Sequence, residues 1–192
     1  MRQKFGVAGV PTVILAKAGG EEIDRTLGYI RTSEFISTID GYHQGIGTLA
    51  SMLAEEPAKS GDADFLFKMG KKLYAHSRFA DADDRFAGVI KIDSTNAAGL
   101  ADDAQMQRAQ VGSKLENYPL AVAFCEALIK RWPQSDLIPD ATISTAYYSD
   151  KAGRKEDAIR MYSQYLEKWP EGEDAEWAKG QIEKLKAPPS EN

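Results

Sequence analysis

Apolar and polar positions along this chain change their period once. Residues 5–15, Phe-Gly-Val-Ala-Gly-Val-Pro-Thr-Val-Ile-Leu, are apolar apart from glycine, proline and threonine. The glycines and Pro11 punctuate a turn. The apolar run after them predicts a strand buried on both faces, because it does not alternate with polar residues. Ala18-Gly19-Gly20-Glu21 turns the chain into a second predicted strand over residues 22–29. Thr32-Ser33-Glu34 then opens a helix with Phe35, Ile36 and Ile39 at helical spacing. Residues 48–53 predict a short linking helix stopped by Pro57, and Ser60-Gly61-Asp62 a loop that caps the next helix.

Beyond Pro57 the strand-like runs vanish, and alanine, aromatic and charged residues recur at helical spacing. Three helix-pair units align. Ala82, Phe86, Val89 and Ile90 correspond to Ala121, Cys125, Leu128 and Ile129, and these to Ala158, Tyr162, Tyr165 and Leu166. The spacings are 39 residues (82 to 121) and 37 residues (121 to 158). Two units close on Trp-Pro, at Trp132-Pro133 and Trp169-Pro170, where proline lacks the donor that would continue a helix. Residues 173–186 predict a capping helix, and Pro188-Pro189 a disordered tail.

At 192 residues, 43% hydrophobic and 28% charged, the chain has the composition of a globular protein large enough to bury a core. The formal charge of −5 falls entirely on residues 51–192, which carry 19 basic and 24 acidic side chains. Basic residues are scattered without an aromatic-interleaved patch, which argues against nucleic acid as a partner. No stretch is apolar enough to span a bilayer. No phosphate-cradling glycine loop, Cys/His metal cluster or signal peptide is recognisable, so no cofactor, metal site or membrane association is expected.

The N-terminal order of strand, hairpin, strand, Gly28-Tyr29 and helix resembles the C-terminal half of a thioredoxin fold, over roughly residues 4–45. Val10, Pro11 and Thr12 match the tripeptide that in thioredoxins carries a cis-proline beside the redox centre. The resemblance implies that these three form a substrate-docking loop. The Cys-x-x-Cys of that family is missing: the single cysteine is Cys125. Dithiol exchange needs a thiolate and a resolving thiol, so no catalytic residue is assigned and the chain is expected to be redox-inactive as it stands. Residues 63–186 resemble degenerate tetratricopeptide repeats. Met69-Gly70 sits at the small-residue position of the first unit, Ala109 in the second, and Ala146-Tyr147-Tyr148 one residue out of step in the third. The longer periods imply extended loops between units, such as residues 94–99. The repeat pattern places Phe67, Lys71, Tyr74, Met106, Gln110, Lys114, Ile143 and Tyr147 on inner helices facing a groove, whose aromatic, amide and lysine chemistry suits an extended peptide or a protein surface. The lysine–asparagine clamp that holds a terminal carboxylate in some such repeats is not reproduced.

The expected architecture is therefore an α+β segment (residues 1–47, thioredoxin-like hairpin plus helix), a linker with a short helix (48–62), an all-α repeat array of about three helix pairs and a cap (63–187), and a tail (188–192). The expected function is a protein–protein interaction module; the alternative is the C-terminal part of a thiol–disulfide oxidoreductase or redox-linked co-chaperone of bacterial type. The strand of residues 13–15 needs cover and keeps an unpaired edge, which calls for sequence upstream, a second copy of the chain, or packing on the first repeat. A reducing, cytoplasmic compartment fits one cysteine, and a periplasmic one would fit if a leader precedes Met1. Cys125 aligns with Phe86 and Tyr162 and is expected to be buried. His43 and His76 have no spaced partner and are expected at the surface or its boundary, and Asp81, Asp83 and Asp84 form the solvated start of a helix.

Overall fold

The computed structural model describes residues 5–187. It opens on an antiparallel hairpin, β1 (Thr12–Ala16) and β2 (Glu22–Leu27), in the register Thr12↔Leu27 to Leu15↔Asp24 with a bulge at Leu15/Ala16. Nine helices follow among the described residues, so the chain is predominantly helical with an N-terminal hairpin. They are α1 (Thr32–His43), α2 (Leu49–Lys59), α3 (Ala63–Ala75), α4 (Phe79–Ile92), α5 (Ala101–Lys114), α6 (Tyr118–Arg131), α7 (Ile138–Lys151), α8 (Lys155–Lys168) and α9 (Ala175–Lys186). The chain forms two compact units, Met1–Ala101 and Asp102–Asn192, dividing inside the repeat region.

In the first unit α1 and α3 both pack against β2. The hairpin thus finds its cover partly on the first repeat helix, one of the three solutions its composition calls for. The apolar strand is not buried on both faces, contrary to the pattern: Val13 is 41% exposed and no residue of β1 is fully buried. Its one partner strand among the described residues is β2, and the helices lie on that partner. The buried residues are instead Asp24, Arg25 and Thr26 of β2. The linking helix starts where Thr48 Oγ1 accepts from the Ser51 amide, 3.1 Å. It runs through Pro57 to Lys59, because a proline one turn from the C-terminus removes only a single late hydrogen bond. Asp62 caps α3 by accepting from the Phe65 amide, 3.0 Å.

The helix pairs share one local geometry. Ser77, Glu116 and Gly153 all sit at positive φ (59°, 56° and 75°) in the turns joining α3 to α4, α5 to α6 and α7 to α8. The next residue's amide closes each turn on the carbonyl five residues back: Arg78 on Leu73, Asn117 on Gly112, Arg154 on Ser149, each 2.9 Å. Those turns are 39 and 37 residues apart (77 to 116, 116 to 153), the same spacings as the alanines. Counted from the turns, Gly70, Ala109 and Ala146 occupy one position and all are buried, so the third unit is in step after all. Ala82, Ala121 and Ala158, and Phe86, Cys125 and Tyr162, are all 0% exposed. Both Trp-Pro pairs end their helices, and Asp93 stands where the tryptophans stand in the other two units. Its carboxylate instead accepts from the Ala98 and Leu100 amides (3.1 and 3.0 Å), ordering residues 93–100.

The second unit has a core of Ile143, Ala146, Ala158, Met161, Tyr162, Tyr165, Ala175 and Ala178, closed by α9 as the expected cap. The expected tail, residues 188–192, lies outside the described residues. Within this core the Tyr162 hydroxyl is buried with no hydrogen-bond partner among the described residues. An orphaned hydroxyl carries its desolvation cost, whereas an apolar isostere does not. Tyr162→Phe is therefore expected to leave stability unchanged or raise it by up to about 1 kcal/mol in urea denaturation; a loss of more than that would reveal a partner for the hydroxyl.

Candidate functional site

Three places gather chemistry, and each lies within one unit. The first is the loop heading β1. The Val10-Pro11 bond is cis, and Val10 and Pro11 are exposed. Thr12 turns its hydroxyl back onto the Gly9 carbonyl (2.6 Å), and Gly28 donates to the Pro11 carbonyl (2.9 Å).

The second is a buried ionic centre that sequence reasoning missed. Asp24, 0% exposed, sits in the interior of β2, where a carboxylate is disfavoured unless its oxygens are bonded. Here Oδ1 accepts from Lys72 Nζ (3.0 Å) and the Arg25 amide (2.6 Å) and lies 3.0 Å from His76 Nε2, while Oδ2 accepts from the Leu49 amide. Lys72 also donates to the Tyr42 hydroxyl (2.5 Å). Arg25 forks onto Glu22 (2.6 and 2.5 Å) and reaches the Gly6 carbonyl (3.1 Å). Burial pushes the Asp24 carboxyl up, but the bond with His76, the charge of Lys72 and the Arg25 amide outweigh it and hold its pKa below the ordinary value. Burial and the Asp24 charge push the Tyr42 phenol up, keeping it a neutral donor and acceptor. His76 is thus not a partnerless boundary residue; its partner stands 52 positions away in sequence, beyond the reach of any spacing rule. The one sequence signal was Asp24 itself, a charge inside a strand.

The third is in the second unit and gathers only part of the residues expected to face a groove. Phe67, Lys71 and Tyr74 lie apart from it, on α3 of the first unit, with Lys71 Nζ over the Phe67 ring (5.7 Å), Phe67 edge-on to Phe86 (5.8 Å) and Tyr74 edge-on to Phe79 (5.3 Å). Burial pushes the Tyr74 phenol up to about 12. Met106, Gln110 and Lys114 follow one another along α5, Lys114 exposed and the other two half-buried. Ile143 and Tyr147 on α7 are brought together with Ser144, Asp174 and Trp177 around an open notch of ≈ 460 Å³. Ile143 is buried in its wall; Tyr147 and Trp177 are 37% and 42% exposed, their ring centroids 6.2 Å apart. Trp177 is the wall residue the repeat pattern did not supply, because it comes from the cap.

Cys125 is fully buried, and burial pushes its thiol up to about 12. His43 is exposed. Asp81 pairs with Arg78 (2.7 Å). No three His, Cys, Asp or Glu side chains gather as metal ligands among the described residues. No helix among them is long and apolar enough to cross a membrane. No protein-family model matches the chain, and no curated protein matches it.

Proposed function

We propose that this chain is a protein–protein interaction module, redox-inactive as it stands, whose repeat-like helix pairs hold an extended peptide or a protein surface. The observation that carries this reading is the pair Tyr147 and Trp177, large aromatic side chains left open on helices whose other faces are packed. Aromatic side chains beside a concavity are what interfaces use as anchors. The resemblance to tetratricopeptide repeats points the same way. The one thiol, buried and protonated at neutral pH, supports the redox-inactive part. Selection of displayed peptides on the immobilised protein is expected to enrich sequences whose binding is lost in Tyr147→Ala; enrichment indifferent to that change, or none, overturns the reading.

A second reading keeps the hairpin in view. β1 bonds β2 along one edge, its other edge has no strand among the described residues, and Val10 is exposed at its head. Such an edge accepts another strand: the remainder of a thioredoxin-like oxidoreductase, a peptide, or a second copy of the chain. An in-frame Cys-x-x-Cys upstream of the Met1 codon would establish the oxidoreductase form, and sequence there without cysteines would exclude it.

A further inference from the structure

The notch between α7 and α9 has a polarity as well as a shape. Asp140, Ser144 and Tyr147 follow at intervals of four and three along α7, so they share one helix face. Asp174 lines the notch from the N-terminal end of α9, and Glu173 precedes it. Burial first, and then the neighbouring carboxylates of Asp174, Glu173 and Asp136, hold Asp140 above its ordinary pKa. Asp136, Asp140, Glu173 and Asp174 make no ion pair among the described residues. Lys151 Nζ lies 5.4 Å from the Tyr147 ring centroid, so that ring already stabilises a positive charge from its own helix. Tyr147 and Trp177 both line the notch, their ring planes tilted at 48° rather than stacked in parallel.

We infer that the notch formed by Tyr147, Trp177, Ser144 and Asp174 takes the lysine or arginine side chain of a basic peptide segment. This rests on the interaction-module reading above and names the partner's chemistry. An apolar notch alone would accept any hydrophobic side chain. Here two aromatic faces attract a cation through their quadrupoles, and the flanking carboxylates attract it by charge. An acidic or neutral peptide meets unpaired carboxylates and gains nothing from them.

The test uses three fluorescently labelled peptides of equal length, containing lysine and arginine, glutamine, or glutamate at the same positions, titrated against the full chain by anisotropy. The lysine/arginine peptide is expected to bind at least about tenfold more tightly than the glutamine one, and to weaken as salt rises. Trp177→Ala should remove that preference. Because Trp177 also packs on Tyr162 (5.6 Å), Asp140→Asn/Asp174→Asn, which alters charge and little else, is the companion variant; it should lower affinity for the basic peptide alone and flatten the salt dependence. Equal affinity for the basic and glutamine peptides, lost together in Tyr147→Ala, overturns the cation and leaves the interaction module standing. Binding of none of the peptides, with a displayed library likewise yielding nothing that depends on Tyr147, removes both.

Discussion

Asp24→Ala will destabilise the first unit by about 3–5 kcal/mol, the cost of stripping one partner from a buried charge pair. The variant leaves Lys72 only 10% exposed with the Tyr42 hydroxyl as its remaining partner, and frees the Leu49 amide and His76. The reverse change is gentler. In Lys72→Met, Asp24 keeps His76 and the Arg25 and Leu49 amides, so its charge stays partly compensated. Removing both members costs less than removing Asp24 alone, because no unpaired charge remains. Urea unfolding followed by circular dichroism checks the order, and hydrogen exchange at β2 and α3 localises the loss. Trp132, Trp169 and Trp177 all belong to the second unit, so tryptophan fluorescence does not report on the first unit directly. A change under about 1 kcal/mol in Asp24→Ala would mean the centre is solvated and inert.

The same centre fixes a pH dependence. The carboxyl of Asp24 has a folded pKa below its ordinary 3.8. A depressed acid contributes stability that is complete above the unfolded pKa and is lost as pH falls through the folded one. The stability difference between the native chain and Asp24→Asn should therefore be flat near neutrality and shrink below about pH 4.

Gly70→Ala is the second large effect, and its sign runs against helix propensity. In an open helix alanine would gain about 1 kcal/mol over glycine. At Gly70 a Cβ would stand 2.6 Å from Phe86 Cε1 and 2.9 Å from Cδ1 and Cζ. The Phe86 ring is fully buried and edge-on to Phe67, so making room means shifting a ring inside the core. Overpacking a filled core costs about 1–3 kcal/mol, enough to reverse the propensity gain. A double-mutant cycle isolates the clash: in a Phe86→Leu background the same Gly70→Ala change should become neutral or stabilising. A glycine tolerant of alanine in the native background would mean the two helices slide apart at little cost.

Much of the helical half was legible because its information is local and repeated. Spacings of 39 and 37 residues marked Ala82, Ala121 and Ala158, and the Trp-Pro pairs marked two helix ends. What escaped was whatever depends on residues distant in sequence. His76 looked partnerless until β2 brought Asp24 to it. Val13 and its neighbours looked doubly buried because a run of apolar residues states a preference, not whether anything arrives to cover it. Pro57 looked like a stop, but one missing donor in the last turn costs too little to end the helix there.

The candidate site divides in the same way. Ile143 and Tyr147 were placed by repeat register alone, because side chains four apart on a helix share a face whatever the tertiary structure. Trp177 and Asp174 entered only through packing, since the cap contributes a wall that no repeat position encodes. By itself the sequence determined the order of elements, the repeat length, the buried alanine positions and the lack of a dithiol pair. Tertiary structure alone decided which strand face was covered, which carboxylate was buried and which aromatic rings stayed open. Periodicity is a property of neighbours along the chain, while burial and charge pairing belong to neighbours in space.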